Sequence, residues 1–337
     1  MPRIYLLLLV LLSAIALPSC FKDDVAVLPH VAGDFVTDTV EMTAIYKNQV
    51  YYSLLDSATV KINNKDSWDL GFESSPEGWR VILNSSCFMK TALLEGQDYG
   101  FPVDTTGAQW LFNPSDGSAD SLAVGRWFRI NGNDTTGLNQ LFILDRGIDA
   151  LGNNRGFRQL VIDSLAHGAF YFRIADYNGS NSKSYKVTKR AGINHVLFSI
   201  ANPDAELSEP ATTDWDLVFT QYTTLLYTDI GEPYPYLVTG ILLNPNSTEV
   251  AVDSITSFDN IDFAKAQTMT FTKQSDRIGY DWKLYDFDEG TYTVNPDKIY
   301  IIRDNKGYLY KLRFVGFYAF INNKLDKGYP SFEYQKL

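Results

Sequence analysis

The sequence is poor in residues that usually carry chemistry at a protein site. Its 337 residues include two cysteines, three histidines and four methionines. It also lacks the Gly-x-Ser-x-Gly, His-Glu-x-x-His and phosphate-binding glycine patterns of common catalytic sites. We therefore predict a binding protein rather than an enzyme. A carboxylate pair for glycosidase-type chemistry stays open, because the distance between two acids cannot be read from a sequence.

Positive charge and long apolar runs are also scarce. Lysine and arginine number 29 against 40 aspartates and glutamates, which gives a net charge of −11. Such a surface repels nucleic acid phosphates and anionic lipid headgroups. Beyond the N-terminus, no apolar stretch reaches the roughly 20 residues that a membrane helix needs. The composition therefore argues against nucleic acid as a partner and predicts a soluble body.

The one long apolar run is N-terminal and is typical of a bacterial lipoprotein signal. Arg3 gives a positive start, residues 4–12 are apolar, and the run closes with Leu-Pro-Ser-Cys at 17–20. We predict that residues 1–19 are removed and that Cys20 is acylated. Residues 21–24, Phe-Lys-Asp-Asp, resemble the export tag of surface lipoproteins in Bacteroidota. An ordinary secretory signal with a chance cysteine is the alternative.

Acylation of Cys20 would determine both the location and the redox state of the protein. The lipid would anchor the chain to the outer membrane, and we expect the body to be exposed at the cell surface. We expect a tether at residues 20–40 and one β domain at 41–337. Cys87 would have no intramolecular partner, so we expect a buried free thiol and a fold held together by its core.

The body predicts an all-β fold with few short helices. Segments such as 68–72 are short, rich in β-forming residues and bounded by turn residues. The clearest hairpin has its arms at 298–303 and 308–314, around a turn that tolerates positive φ. One short helix is predicted at 258–266, with Ser257 as its N-cap. We expect mainly antiparallel sheets.

One short pattern occurs twice in the body. Trp-Asp-Leu-Gly-Phe at 68–72 returns as Trp-Asp-Leu-Val-Phe at 215–219. Two core strands of similar periodicity would explain the echo. The alternative is a duplicated half-sheet, which would make the body pseudo-symmetric. The two copies lie too far apart for a solenoid repeat.

Several aromatic segments follow one another in a recognisable order. They are Tyr-Tyr-Ser-Leu at 51–54, Trp-Asp-Leu-Gly-Phe at 68–72, Trp-Arg-Val-Ile-Leu-Asn at 79–84, Ile-Gly-Tyr-Asp-Trp-Lys at 278–283, Tyr-Ile-Ile-Arg at 300–303, Gly-Tyr-Leu-Tyr-Lys-Leu-Arg-Phe at 307–314 and Gly-Tyr-Pro-Ser-Phe-Glu at 328–333. This order resembles that of the HmuY-like family of Bacteroidota lipoproteins. The resemblance covers about 45–90 and 212–337, and it predicts an insertion at 91–211.

The resemblance implies an antiparallel HmuY-like β body and a function at the cell surface. The best-known members of that family bind heme as hemophores and pass it to a TonB-dependent outer-membrane receptor. They hold the iron with two axial histidines or methionines. Heme is therefore the expected ligand of this chain, and such a receptor is its expected partner.

Few residues of this chain could serve as axial donors to heme iron. His30 lies in the predicted tether. His167 and His195 lie at predicted strand ends, where they could share a cleft or be ordinary surface-turn residues. Met89 and Met269 are the remaining candidates, with core packing as the alternative. Both histidines of the body lie in the predicted insertion, so the family's ligands cannot be carried over by position.

A second hypothesis is a surface lipoprotein that binds a glycan or a partner protein without using heme. The region 222–236 is rich in tyrosine and holds two prolines. We predict an aromatic loop there, with Tyr227, Tyr234 and Tyr236 as ligand contacts. The alternative is a loop packed on the sheet by its own tyrosines. Glycan binding without hemin binding would favour this second hypothesis.

Overall fold

The computed structural model describes residues 31–131 and 134–337, which consist mainly of strands. In chain order these are β1 (Phe35–Thr39), β2 (Asn48–Ser53), β3 (Ala58–Asn64), β4 (Leu70–Glu73), β5 (Val81–Leu83), β6 (Lys90–Leu93), β7 (Phe128–Asn131), β8 (Asp134–Gly137), β9 (Phe142–Asp145), β10 (Phe157–Ala166), β11 (Ala169–Asp176), β12 (Lys183–Thr188), β13 (His195–Phe198), β14 (Leu207–Ser208), β15 (Leu217–Tyr227), β16 (Pro233–Leu243), β17 (Glu249–Asp253), β18 (Lys283–Asp286), β19 (Thr291–Val294), β20 (Ile299–Arg303), β21 (Leu309–Ile321) and β22 (Lys324–Lys336). Within these described ranges, helical structure is limited to α1 (Phe263–Gln267) and short 3-10 turns such as Ser85–Cys87. The strands pair antiparallel, which confirms the predicted all-β fold.

Local predictions succeed where the turn or cap chemistry is explicit. The predicted C-terminal hairpin forms between β20 and β21, and Asp304 accepts hydrogen bonds from two backbone N–H groups of its turn. The predicted helix is split into the 3-10 turn Phe258–Asn260 and α1. The reason is a different cap, since the carboxylate of Asp262, rather than Ser257, accepts the N–H of Lys265.

The tyrosine-rich stretch 222–236 is a long hairpin rather than a loop, so that prediction is wrong. Strand β15 runs to Tyr227, and β16 begins at Pro233, which places Tyr234 and Tyr236 on a strand. Strand β16 is the edge of its sheet, and an edge strand tolerates prolines because one row of its N–H groups needs no partner. The prolines of this stretch therefore indicate an edge strand and not a loop.

Each half of the body is a sandwich with its own core. In one half, the sheet β16-β15-β2-β3 faces the sheet β1-β22-β21-β20-β17, and Phe219 stacks on Phe332 between them at 5.4 Å. In the other half, the sheet β14-β13-β4-β5 faces the seven-stranded sheet around β10, and Phe72 stacks on Phe172 at 4.9 Å. Burial of these aromatic side chains stabilises each half.

The two sandwiches repeat one another in topology and in register. Strands β4, β5, β13 and β14 of the first repeat (β4–β14) correspond to β15, β16, β2 and β3 of the second repeat (β15–β22 with β1–β3). Corresponding residues in the paired strands, first repeat before second, are Leu70 and Leu217, Leu83 and Leu243, and Phe198 and Tyr52. The recurring Trp-Asp-Leu-x-Phe pattern is therefore the mark of a duplication.

Side-chain hydrogen bonds repeat as well. In the first repeat, Asn84 donates to the carbonyl of Trp68 at 2.8 Å, and in the second, Asn244 donates to the carbonyl of Trp215 at 2.9 Å. Likewise, the carboxylate of Asp69 accepts the N–H of Ile200 at 2.7 Å, and that of Asp216 accepts the N–H of Leu54 at 2.8 Å. Chance similarity of two core strands would not reproduce these side-chain contacts. The duplicated half-sheet is thus the better of the two explanations offered by the sequence.

The N-terminal strands complete the second repeat. Strand β1 pairs with the C-terminal strand β22, so the ordered sheet begins inside the stretch 20–40 that the sequence predicts to be a tether. Cys20 and His30 lie outside the described residues. Within residues 31–131 and 134–337, no helix is long and apolar enough to cross a membrane.

Candidate functional site

A cavity of about 920 Å³ is lined by both four-stranded sheets. Its wall contains corresponding residues of the two repeats: Trp68 and Trp215, His195 and Gln49, Ile82 and Leu242, and Leu83 and Leu243. Ligand pockets in proteins typically measure about 300–1,000 Å³. This cavity therefore has room for a large ligand, and the duplication explains why apolar side chains face it from both sides.

His195 and Glu209 form the charged centre of this wall. His195 is the first residue of β13, and Glu209 directly follows β14, so the pairing of the two strands brings the side chains together. Nδ1 of His195 lies 3.1 Å from Oε1 of Glu209, and both side chains are largely buried. A carboxylate acceptor favours the tautomer with hydrogen on Nδ1, which leaves the lone pair of Nε2 available.

The protonation of His195 depends on this partner. Burial lowers the pKa of His195, but the negative charge and hydrogen bond of Glu209 outweigh burial, and the net pKa is raised above 6.5. Arg80 opposes this effect slightly with its positive charge. His195 is thus a titratable group whose charge changes near physiological pH.

The same place in the second repeat carries neutral amides. Gln49 corresponds to His195, and Asn63 corresponds to Glu209. Gln49 accepts a hydrogen bond from the indole N–H of Trp68 at 2.8 Å. The equivalent indole of Trp215 has no hydrogen-bond partner among the described residues. The two repeats have therefore diverged at the cavity, and only the first has acquired a candidate metal donor there.

The other predicted site residues are scattered. His167 is exposed in the turn between β10 and β11, where it adopts φ 52°. Met89 is buried in the core of the first repeat. Met269 packs on a separate apolar cluster beside α1. None of these three is among the residues that line the cavity.

The three predicted tyrosine contacts lie on the β15–β16 hairpin rather than at the cavity, and the register places Tyr227 on the opposite face from Tyr234 and Tyr236. Tyr227, Tyr234 and Tyr236 are exposed on the β15–β16 hairpin. The rings of Tyr234 and Tyr236 lie 6.4 Å apart and nearly perpendicular. They form part of an aromatic surface and do not contact His195.

Cys87 is a free and fully buried thiol, as the sequence predicts. Burial raises its pKa to about 11, although Arg155 and Lys65 lower it. A thiol that stays protonated at neutral pH is a poor nucleophile and a poor metal ligand. Its role is to fill the core beside the Ser85–Cys87 turn.

Comparison with known proteins agrees with the resemblance seen in the sequence. The family model described as HmuY protein matches residues 45–334. The chain belongs to the HmuY family. The apo PinO structure from Porphyromonas gingivitis is 10% identical, covers 90% of this chain and 97% of its own, and has a TM-score of 0.28. The apo HmuY analog TFO of Tannerella forsythia is 9% identical, covers 91% and 98%, and has a TM-score of 0.25. No curated protein matches the chain.

His195 was identified from the sequence, but most of the other residues that line the cavity were missed. Glu209 gave no signal, because a lone acid before a proline has many explanations. The tryptophans of the repeated pattern were visible, but their joint role required the two repeats to face one another. Aligning the two copies strand by strand would have found it, since His195 lies three residues before Phe198 in β13 and Gln49 lies three residues before the equivalent Tyr52 in β2.

Proposed function

We propose that this protein is a surface lipoprotein that binds heme and passes it to a TonB-dependent outer-membrane receptor. The role is binding rather than catalysis. Acylation of Cys20 would keep the body at the outer membrane, where heme is captured. Membership of the HmuY family supports the ligand class, and the cavity supplies a place for it.

The observation that carries this proposal is His195 in the wall of the cavity. Histidines that bind metals usually donate their second ring N–H to a carboxylate or carbonyl, which fixes the tautomer. Glu209 provides such an acceptor at 3.1 Å. Among the described residues, Nε2 of His195 has no hydrogen-bond partner, so it is free to bind iron. The apolar wall around Trp68 and Leu242 suits the body of a porphyrin.

The cavity provides a single protein ligand of the expected type. Among the described residues that line it, His195 is the one histidine, and no methionine is present. We therefore propose that ferric heme is held by one axial histidine. The resemblance implied two ligands, but the residue of the second repeat that corresponds to His195 is Gln49, which is not an iron donor of that type. A five-coordinate ferric heme would be high-spin, which absorbance and electron paramagnetic resonance both report.

Hemin titration of the mature chain tests the proposal directly. Cys20→Ser removes the lipid and leaves the rest of the chain intact. We expect a red-shifted Soret band that saturates at one heme per chain. His195→Ala should weaken binding by about tenfold or more, because an iron–imidazole bond is lost. Added imidazole should partly restore the spectrum of the variant.

The matched control is His167→Asn, which removes the exposed histidine. Asparagine tolerates the left-handed backbone at this position. This variant should titrate like the unmodified chain. A flat titration of the unmodified chain, or equal spectra for His195→Ala and the unmodified chain, would show that the cavity does not hold heme through His195.

The exposed tyrosines favour a second candidate function, the binding of a glycan. Tyr227, Tyr234 and Tyr236 leave 39–66% of their surface exposed, and aromatic faces pack well against sugar rings. Glycan-array binding that is lost in Tyr234→Ala/Tyr236→Ala and kept in His195→Ala would support it. Binding that survives the tyrosine variant would remove this surface from consideration.

A further inference from the structure

A cluster of basic side chains flanks the cavity of this acidic protein. Lys61, Arg80, Lys189 and Arg190, here called the basic rim, come from β3, the segment before β5 and the segment after β12. Arg80 and Lys189 line the cavity, and Arg190 follows directly. The ammonium group of Lys61 donates to the carbonyl of Ser208 at 2.6 Å, next to the charged centre of the wall. The fold thus gathers positive charge from distant parts of the chain.

Most of this positive charge has no ion-pair partner. Arg80 binds the carboxylate of Glu73 at 3.0 Å. The ammonium group of Lys189 is held by two backbone carbonyls at 2.8 Å, which carry no net charge. Among the described residues, Lys61, Lys189 and Arg190 have no carboxylate oxygen within 4.0 Å. Each would gain from an anion brought by a ligand.

The cations of the basic rim also repel one another. Burial lowers the pKa of Lys61, and the positive charge of Arg190 lowers it further, while Glu209 partly compensates. The acids that face the basic rim are Glu73, Glu77 and Glu209. The first and the last are already bound to Arg80 and to the histidine of the wall. An anionic ligand would therefore relieve repulsion that the protein itself does not neutralise.

The duplication shows that this charge is specific to one side of the cavity. Residues of the first repeat and their equivalents in the second are Glu73 and Thr220, Arg80 and Gly240, His195 and Gln49, and Glu209 and Asn63. The charged members of these four pairs belong to the first repeat, and Lys61 of the second repeat is held beside them by its hydrogen bond to the carbonyl of Ser208. A symmetric cavity would accept a ligand in either direction, whereas this one distinguishes the two ends of its ligand.

We propose that the basic rim binds the anionic groups of the cavity's ligand, which is an amphiphile with an apolar body and one or more carboxylates. The apolar body packs on Trp68, Ile82 and Leu242, and the acidic end faces Lys189, the cation of the cavity wall that has no carboxylate partner. The inference rests on the proposed function, because heme combines an apolar macrocycle with two propionates. It also goes beyond it, since the charge requirement applies to any ligand of this cavity.

Protoporphyrin IX and its dimethyl ester test the requirement without iron. The two porphyrins share one macrocycle and differ in the carboxylates. Quenching of tryptophan fluorescence in the Cys20→Ser chain should show the diacid binding about tenfold more tightly than the ester. Lys189→Gln/Arg190→Gln should remove that preference and leave binding of the ester unchanged. Lys324→Gln/Lys327→Gln, with the same loss of charge at the distant β21–β22 hairpin, should keep it.

A second pair of probes separates this proposal from heme binding itself. 8-Anilinonaphthalene-1-sulfonate and N-phenyl-1-naphthylamine have the same aromatic body, and only the first carries an anion. We expect the basic rim variant to lose fluorescence enhancement with the sulfonate alone. If hemin fails to bind but this preference is present, the heme proposal falls and the anion proposal stands. The anion proposal would be overturned if the unmodified chain bound the charged and the neutral probe equally. It would also be overturned if the basic rim variant kept the preference of the unmodified chain.

Discussion

If the cavity binds heme as proposed, the pairing of His195 with Glu209 makes the affinity sensitive to pH. The folded-state pKa of His195 is raised above 6.5, and a protonated imidazole cannot bind iron. Hemin affinity should therefore fall as the pH is lowered through that raised pKa. Titrations between about pH 8 and 5 would measure it. In Glu209→Gln the midpoint should move to lower pH, because the charge that raises the pKa is gone. An affinity independent of pH would contradict axial ligation by His195.

Asp69 and Asp216 occupy equivalent positions but have opposite surroundings. Asp69 binds Arg146 and Arg155 at 2.8 and 2.9 Å. At the position equivalent to Arg146, the second repeat has Asp304. Burial, together with the negative charge of Asp304, raises the pKa of Asp216 to about 6. Asp69 thus stabilises the first repeat through its ion pairs, whereas the equivalent Asp216 favours the second repeat when it is protonated.

This contrast predicts opposite effects of one substitution. A raised pKa in the folded state means that Asp216 contributes stability below pH 3.8, and that this contribution is lost as the pH rises through about 6. Asp216→Asn keeps an acceptor for the N–H of Leu54 and should raise the unfolding free energy at pH 7 by about 2–3 kcal/mol. Asp69→Asn should lower it by about 3–5 kcal/mol, because two buried arginines lose their partner.

Urea denaturation of both variants at acid and neutral pH measures this prediction. The gain from Asp216→Asn should shrink as the pH falls below about 6, where the native carboxyl takes up its proton. A destabilised Asp216→Asn protein at neutral pH would show that the carboxylate has a stabilising partner.

At the scale of elements, a tight contact fixes the turn after β9. Gly147 has φ 66°, and a Cβ there would overlap the backbone carbonyl of Cys87. Gly147→Ala should lower the unfolding free energy by about 3 kcal/mol or more, since backbone strain and overlap combine. Gly152 in the same loop has φ 83° with open space around it. Gly152→Ala should cost about 1 kcal/mol, the price of the backbone conformation alone. Equal losses in urea denaturation would rule out the overlap.

Strands and turns were predictable because their signals are local. The turn at Asp304 and the strand at 68–72 follow from turn chemistry and alternation within a few residues. The loop prediction for Tyr234 and Tyr236 failed because proline marks loops and edge strands alike. The edge position depends on β15, β2 and β3 lying on the other side, and a local pattern does not contain that information.

The site was predictable only in part, for the same physical reason. His195 was one of four candidate iron ligands, and its sequence neighbours did not separate it from His167. What distinguishes it is the pairing of β13 with β14, which brings Glu209 to its ring. Such a contact between distant residues forms through tertiary structure. The repeated Trp-Asp-Leu-x-Phe pattern was the one long-range signal in the sequence.

At the scale of the whole molecule, the duplication is interrupted by the chain ends. The second repeat is split, since β1–β3 come first and β15–β22 come last. The ends meet, because the N–H of Gly33 donates to the carbonyl of Lys336 at 2.8 Å. A circular permutant that joins Leu337 to Ala32 by a short Gly/Ser linker and begins at Asp214 would make both repeats continuous.

We expect this permutant to fold, because the new break lies in an exposed turn between the repeats. Its melting temperature should lie within about 5 °C of that of the parent chain. A control permutant opened in the exposed turn at 229–231 cuts the β15–β16 hairpin and should be less stable. Aggregation of the first permutant with normal folding of the control would contradict the repeat boundaries.

The pairing of β1 with β22 would also limit how far a lipid-anchored body can extend from a membrane. If Cys20 carries the lipid, the fourteen residues 21–34 lie between the anchor and Phe35, where β1 begins. Fully extended, that segment spans at most about 50 Å. The cavity is therefore kept within a shallow zone above the lipid surface. Heme would be transferred only to a receptor whose outer face lies in that zone. Lengthening the N-terminal segment should slow this transfer without altering heme affinity.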